Sequence, residues 1–378
     1  MAQRIANIRR DPTSPWRHLD PLLIGAVIAL SGLGSLMVYS ATRRQLDQAG
    51  VDPTFFLSRQ IIWVMVGAAL MALVAIVDYR RFRDHWYVGW AAAVLLLALV
   101  VSPLGTESKG TQAWFQFGAF QLQPSEFAKP AVILALAGYA SLHEGDLDIR
   151  RLGVAMGLVL VPIGLIFLQP DIGTILVFVA VMMGALLVAG ARPRHIALLT
   201  FVGLIGVVGV LQMDVLEDYQ RARLTAFIDP TDDLQRAAYN QNQSKIAIGA
   251  GGFTGAGLFR GSQTNLSYVP EQHTDFIFTA IGEELGFLGA STVLMLYTLM
   301  VWRTWRTAQL ARDLSGTLIC AGVMALLVFQ VFQNVGMTMG IMPITGIPLP
   351  FLSYGGSATL AMFISVGLVL NVHMRRFA

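Results

Sequence analysis

Apolar stretches of about twenty residues follow one another along the chain, separated by polar connections. Because a helix needs ~20 apolar residues to cross a bilayer, each stretch predicts a membrane-spanning helix. The ten predicted spans lie near residues 21–41, 60–78, 87–104, 124–142, 152–169, 172–190, 195–213, 274–301, 315–340 and 350–372. We therefore expect an all-α, polytopic integral membrane protein with about ten transmembrane helices.

The polar connections divide this bundle into four parts. A polar tail, 1–20, precedes the first seven spans at 21–213, and a long connection, 214–273, leads to the last three spans and a short C-terminus at 274–378. The tail has no small-residue cleavage site after a short apolar core. We expect it to be retained, not removed as a signal peptide.

Basic residues fall on alternate connections, which orients the bundle. Lys and Arg near span ends mark the cytoplasmic side, whereas long loops are largely exempt from this rule. The basic clusters lie in the tail, at 80–83, 150–151, 192–194 and 303–312, and at 375–376. Both termini are therefore predicted to be cytoplasmic. The connections 105–123 and 214–273 are predicted to be extracytoplasmic.

Composition agrees with a membrane protein and excludes several functions. Charged residues make up 13% of the chain, against roughly 25% in soluble domains. The basic residues form no continuous patch that could follow a nucleic acid backbone. Cys320 is the single cysteine, and no Cys/His cluster has zinc-site spacing. We expect no nucleic acid partner, disulfide or zinc site.

Two ionisable residues, Glu126 and Lys129, share one face of the predicted fourth span. Charges inside a span are costly unless they face protein or a water-filled cavity, and they are therefore candidates for function. The alternative is a structural ion pair that only neutralises itself. In both cases this face should point to the interior of the bundle.

Asp275 lies at the entrance of the predicted eighth span. Either Thr274 or Asp275 could cap that helix, where a carboxylate is favoured by the helix dipole. Alternatively, a carboxylate at the rim of an apolar bundle can accept a proton from a sugar hydroxyl. On residue chemistry alone the cap is the stronger interpretation.

Three further features lie in or near the connections. Asp171 is predicted in a tight outer hairpin, whereas Glu283 and Glu284 lie within the eighth span and must be paired or protonated. The glycine-rich segment 239–261 has no phosphate-loop spacing, so we expect it to lie along the bundle surface; the alternative is direct contact of its backbone with a substrate. The prolines within 343–350 exclude regular helix there and predict a loop folded over the external mouth.

Four motifs occur in a characteristic order. They are Gln-Pro-Ser-Glu-Phe-Ala-Lys at 123–129, Gln-Pro-Asp-Ile-Gly-Thr at 169–174, Pro-Glu-Gln-His-Thr-Asp-Phe-Ile-Phe at 270–278 and Pro-Leu-Pro-Phe-Leu-Ser-Tyr-Gly-Gly-Ser at 348–357. In these motifs the chain resembles the SEDS family of cell-shape, division and sporulation proteins, from about the first span to the last. Within the family it resembles the elongation branch more than the division branch.

The resemblance implies a ten-helix enzyme of the bacterial cytoplasmic (inner) membrane that polymerises lipid II into peptidoglycan glycan strands at the outer face. It also implies a class B penicillin-binding protein as partner, with lipid II and membrane lipids as ligands. No cofactor is required by the sequence, although a divalent cation, Mg²⁺ or Mn²⁺, would be compatible with a pyrophosphate substrate.

The resemblance also assigns site residues and raises the catalytic interpretation of Asp275 above the cap. Asp275 matches the essential aspartate of the family, and we expect it to be the general base. The expected substrate-binding residues are Glu126, Lys129, Arg223, Gln243, Ser244, His273, Thr274 and Ser353. Lys129 could also form a salt bridge with Asp275. The chain departs from the family at Ala113–Trp114, where an arginine usually precedes the tryptophan.

Two other functions are compatible with a charged bundle. A lipid II flippase would also have buried charges and broken helices, although no inverted repeat is evident and the candidate residues cluster on the external side. A non-catalytic scaffold for the penicillin-binding partner would leave the pair of Glu126 and Lys129 unexplained.

Overall fold

The computed structural model describes residues 18–108, 111–118, 120–143, 148–212 and 237–377. Most of the N-terminal tail, Arg223 and the first part of the long connection lie outside these residues. The helices are α1 Pro21–Gln48, α2 Phe55–Ile76, α3 Tyr79–Asp84, α4 Trp86–Val101, α5 Pro124–Ser141, α6 Ile149–Phe167, α7 Ile172–Val188, α8 Pro193–Gln212, α9 Ala237–Gly251, α10 Ser262–Asn265, α11 Ile277–Leu310, α12 Leu314–Thr338 and α13 Gly356–Met374.

Each predicted span coincides with a helix of 16 to 34 residues. Six of these helices, α1, α2, α6, α11, α12 and α13, are long and apolar enough to cross a membrane, and α4 and α7 are shorter apolar helices. The predicted multi-pass helical bundle is confirmed. The predicted bounds are less accurate, because α1 continues to Gln48 and α11 begins at Ile277.

A small antiparallel sheet connects α4 to α5 and was not predicted. Its strands are β1 Thr106–Ser108, β2 Thr111–Phe117 and β3 Phe120–Leu122, in the order β1-β2-β3. Trp114 of β2 pairs with Thr106, and Phe115 pairs with Leu122. Strands β1 and β3 have only three residues each, and the burial of the seven residues of β2 does not alternate, so the sheet leaves no recognisable pattern in the sequence.

Helix α13 lies at the centre of the bundle and packs against α2, α5, α11 and α12. Most of its surface is buried, as expected for a helix that is apolar all round. Small residues allow α2 and α13 to approach closely. A Cβ on Gly67 would lie 2.4 Å from the ring of Phe363, and one on Gly367 would lie 2.9 Å from the carbonyl oxygen of Met71.

Helix α11 is broken near its N-terminal end at Gly286, where φ is 62° and ψ is −161°. This backbone conformation is accessible essentially to glycine alone. The segment 252–257 satisfies the backbone groups around the break. Its hydrogen bonds are Ala256 N to Glu283 O at 2.9 Å, Gly257 N to Glu284 O at 3.0 Å, Phe287 N to Gly252 O at 2.9 Å and Leu288 N to Phe253 O at 3.2 Å.

Glycines make this pairing possible. A Cβ on Gly251 would lie 1.9 Å from Gly282 O, and one on Gly255 would lie 2.1 Å from Glu284 O. Irregular backbone at membrane depth is stable only where protein covers it, and here α9 and the segment after it provide the cover. The described part of the glycine-rich segment thus lies along the bundle, as expected.

Candidate active site

A cavity of about 580 Å³ opens where the connections predicted to be external meet. Five parts of the chain line it: the start of α2, the three-stranded sheet, the start of α7, the turn 271–275 and the loop between α12 and α13. The proline-containing segment 343–348 forms one wall. This agrees with the prediction of a loop folded over the external mouth.

Asp275 lines the cavity from a tight turn before α11. The backbone N–H groups of Thr274 and Asp275 both donate to Glu271 O, at 3.2 and 3.1 Å. The N-cap of α11 is Phe276, without a side-chain capping bond. The interpretation of Thr274 or Asp275 as the cap is therefore wrong. The Asp275 side chain is half-buried and belongs to the cavity wall.

Apolar packing fixes both ends of this turn. Val269 and Phe276 are buried in a cluster with Met337 and Ile344. Asn334, which is fully buried, donates from Nδ2 to Asp275 O and to Ile347 O, both at 2.8 Å. The side-chain amide of Asn334 therefore joins the turn that bears Asp275 to the loop between α12 and α13.

The cavity contains side chains of both charges. Asp171 caps α7, because its carboxylate accepts from Thr174 N at 2.9 Å and from Thr174 Oγ1 at 2.7 Å. Arg59 lies with its guanidinium 4.0 Å from the ring centre of Phe55. Burial raises the pKa of Tyr354 above its ordinary value, an effect that Arg59 partly opposes. The Tyr354 hydroxyl is therefore a neutral hydrogen-bond donor beside a cation.

Glu126 and Lys129 form an ion pair with 2.5 Å between Oε1 and Nζ. Both side chains are almost fully buried, so their face of α5 points into the bundle as predicted. Within the described part of the chain, Lys129 pairs with Glu126 and not with Asp275. The pair lies about one helical turn beyond Gln123, which lines the cavity.

The other predicted binding residues have different surroundings. His273 and Thr274 line the cavity, and Gln243 is half-buried outside its lining. Ser244 is fully buried, donates to Thr338 O at 2.8 Å and lies 2.5 Å from Thr279 Oγ1, which ties α9 to α11 and α12. Ser353 accepts from Leu349 N at 2.8 Å. Neither serine is part of the cavity lining.

Arg59, Asp171, Trp114 and Tyr354 line the cavity but were not predicted as site residues. A signal existed for Arg59, because it is a basic residue at the end of the bundle that is predicted to be external, contrary to the positive-inside rule. Among the residues that the structure describes, no three His, Cys, Asp or Glu side chains are grouped to hold a metal ion.

A bundle of apolar helices, with a cavity of both charges at the end that carries the predicted external connections, defines a multi-pass membrane protein. The chain belongs to the family that includes FtsW, RodA and SpoVE: the family model described as "Cell cycle protein" matches residues 21–377. This confirms the resemblance inferred from the four motifs.

Relatives cover nearly the whole chain. Stage V sporulation protein E of Bacillus subtilis is 38% identical over 95% of this chain and 97% of its own length. Peptidoglycan glycosyltransferase MrdB of Escherichia coli K12 is 34% identical over 95% and 94%. The crystal structure of RodA from Thermus thermophilus is similar with a TM-score of 0.72, 31% identity and coverage of 96% of this chain and 99% of that one.

A further similar structure is described as "Structural coordination of polymerization and crosslinking by a peptidoglycan synthase complex". The match has a TM-score of 0.78 and 32% identity, and it covers 95% of this chain and 98% of that one.

Proposed function

We propose that this protein is a peptidoglycan glycosyltransferase of the RodA type, which polymerises lipid II into glycan strands during cell elongation. The observation that carries the proposal is the position of Asp275 in the wall of a 580 Å³ cavity. The named activity of relatives such as MrdB supports the reaction class. The protein acts in the bacterial cytoplasmic membrane, with both termini in the cytoplasm and the cavity facing outward.

The reaction joins a sugar hydroxyl of one lipid II molecule to the anomeric carbon of another. The hydroxyl oxygen forms the new glycosidic bond, its proton passes to the Asp275 carboxylate, and the bond from the anomeric carbon to the pyrophosphate breaks. The pyrophosphate leaves on its polyprenyl carrier. A positioned general base contributes ~10² to 10⁴ in rate.

Cations near the cavity stabilise the departing pyrophosphate. Arg59 already lines the cavity, and Arg223 is the further candidate from the long connection. The buried pair of Glu126 and Lys129 lies inward of Gln123 and contributes to the field at the cavity floor. A divalent cation, Mg²⁺ or Mn²⁺, would be held chiefly by the pyrophosphate itself.

A class B penicillin-binding protein is the proposed partner, because cross-linking must follow polymerisation. The similar synthase complex, described as coordinating the two reactions, supports this pairing. A lipid II flippase is the competing function. The cavity opens at one end of the bundle and not at its middle, which favours the enzyme.

The test supplies labelled lipid II to the purified protein, with and without a class B penicillin-binding protein. We expect polymer from the native chain and at least about a hundredfold less from Asp275→Asn. Asp52→Asn is the matched control, because Asp52 is exposed on a connection predicted to be external and, among the described residues, its carboxylate accepts only from Thr54. Equal polymer from both variants would contradict the assignment of the base.

The same preparation separates the other functions. Transfer of lipid II across a vesicle membrane without polymer would indicate a transporter. Neither transfer nor polymer, with or without the partner, would indicate a scaffold.

A further inference from the structure

Two adjacent acidic residues, Glu283 and Glu284, lie just before the break in α11, and both are almost completely buried. Glu284 accepts from Ser40 Oγ of α1 at 2.7 and 2.8 Å and from Phe259 N at 3.1 Å. Arg43 of α1 donates to Phe259 O at 2.8 Å. The hydrogen bonds of Glu284 therefore connect α11 both to α1 and to the segment around Phe259 that precedes α10.

Glu283 is bonded to the next part of the same segment. Its carboxylate accepts from Gln263 N at 2.7 Å, from Thr264 N at 2.9 Å and from Thr264 Oγ1 at 2.7 Å, with Ser262 Oγ at 3.3 Å. All four partners are donors, so the carboxylate acts only as an acceptor. An amide at this position would direct an N–H group against other donors.

Thr264 continues the chain of hydrogen bonds to the turn that bears Asp275. Its hydroxyl gives its one proton to Glu283, so it must accept from Gln272 Nε2, which lies 2.9 Å away. Gln272 is buried and lies within the turn. A directed path thus runs from Gln272 through Thr264 to Glu283.

The backbone of this segment is strained in a way that needs such support. Phe259, Ser267 and Glu271 have φ values of 66°, 54° and 53°, in the left-handed region that residues other than glycine rarely occupy. Such conformations persist only where the surroundings hold them. Glu271 begins the turn, and its carbonyl oxygen accepts the N–H groups of Thr274 and Asp275.

We propose that Glu283 is a positioning residue for glycosyl transfer, which holds the Asp275 turn in its strained form through Thr264 and Gln272. The proposal rests on the proposed function for its catalytic consequence. Removing a link relaxes the turn and moves the Asp275 carboxylate, without removing any group that contacts the substrate. A misplacement of about 1 Å can lower a rate ~10²-fold.

The test compares Thr264→Val, which keeps the shape and loses the hydroxyl, with Thr264→Ser, which keeps the hydroxyl. Thr304→Val is the matched control, because Thr304 is equally buried in α11 but its hydroxyl, among the described residues, bonds only Met300 O of its own helix. Glu283→Gln breaks the same path at its other end. Two readouts are used: hydrogen exchange of the 271–276 amides, and kcat and KM for lipid II polymerisation.

We expect Thr264→Val and Glu283→Gln to speed exchange at 274 and 275 and to lower kcat at least about tenfold, with KM within about twofold. Thr264→Ser and Thr304→Val should match the native chain in both readouts. Unchanged exchange in Thr264→Val, or a kcat loss shared by Thr264→Ser, would overturn the proposal. Activity retained by Asp275→Asn would instead contradict the role of Asp275 as the general base. The hydrogen-exchange result would still show whether Glu283 and Thr264 hold the turn.

Discussion

Arg59 departs from the positive-inside rule, and its surroundings in the cavity suggest why. It lies near the start of α2, at the end of the bundle predicted to be external, where arginine is disfavoured. There it contacts Phe55 and faces the cavity beside Tyr354. The proposed substrate carries a pyrophosphate, which would explain a cation at this place.

The prediction at this scale concerns substrate affinity. Arg59→Ala should raise KM for lipid II by roughly 10- to 100-fold, because a hydrogen bond to a charged group contributes about 1.5–3 kcal/mol. Arg44→Ala is the control, since Arg44 is exposed on the same side of the bundle and does not line the cavity. Initial rates against lipid II concentration give the comparison. Equal KM values for the two variants would exclude a role of Arg59 in binding.

The buried pair of Glu126 and Lys129 requires a different argument. Removing one partner of such a pair leaves an uncompensated charge and costs about 3–5 kcal/mol. Loss of activity in a single variant would therefore not distinguish catalysis from stability. Simultaneous replacement of both residues by apolar ones of similar size removes this ambiguity, because no unpaired charge remains.

At the scale of helices, glycines without a Cβ allow α9 to pack closely against α11. Gly251→Ala places a Cβ where Gly282 O already lies, so the helices must separate. We expect a loss of about 1–3 kcal/mol of stability, as in other overpacked cores. Gly249→Ala is the control, because no atom lies within 4 Å of its added Cβ.

Thermal unfolding of the two purified variants measures the difference. Gly249→Ala should unfold at or slightly above the native temperature, since alanine favours a helix by about 0.5–1 kcal/mol over glycine. Equal stability of the two variants would show that the close packing of α9 on α11 is not needed.

The sequence predicts the helices well and the irregular parts poorly, for a physical reason. Spans are long enough for apolar character to average over twenty residues, so each of the ten predicted spans coincides with a helix of the structure. The break at Gly286 is not predicted, because Gly-Glu-Glu-Leu-Gly continues a helical pattern. The backbone around the break is hydrogen-bonded to segment 252–257, which is distant from it in the sequence. Part of the cavity lining was not predicted, because its residues are distant in sequence, as Arg59 and Tyr354 are.

At the scale of the whole molecule, orientation decides whether the cavity faces the cell wall. Cys320 is fully buried, so single cysteines introduced elsewhere can be labelled without background. In right-side-out vesicles, Asp52→Cys should react with a membrane-impermeant maleimide, whereas Arg81→Cys should react only after the membrane is opened. Both positions are exposed in the structure. The reverse pattern would place the cavity on the cytoplasmic side.

The distribution of the cavity walls along the chain has a consequence for biosynthesis. The earliest wall residue to emerge from the ribosome is Phe56 and the last is Ala358, close to the end of the chain. A growing polypeptide therefore has no enclosed chamber until its final span has entered the bilayer. If glycosyl transfer takes place in this cavity, as proposed, a molecule that lacks its last span has an incomplete site and should be inactive.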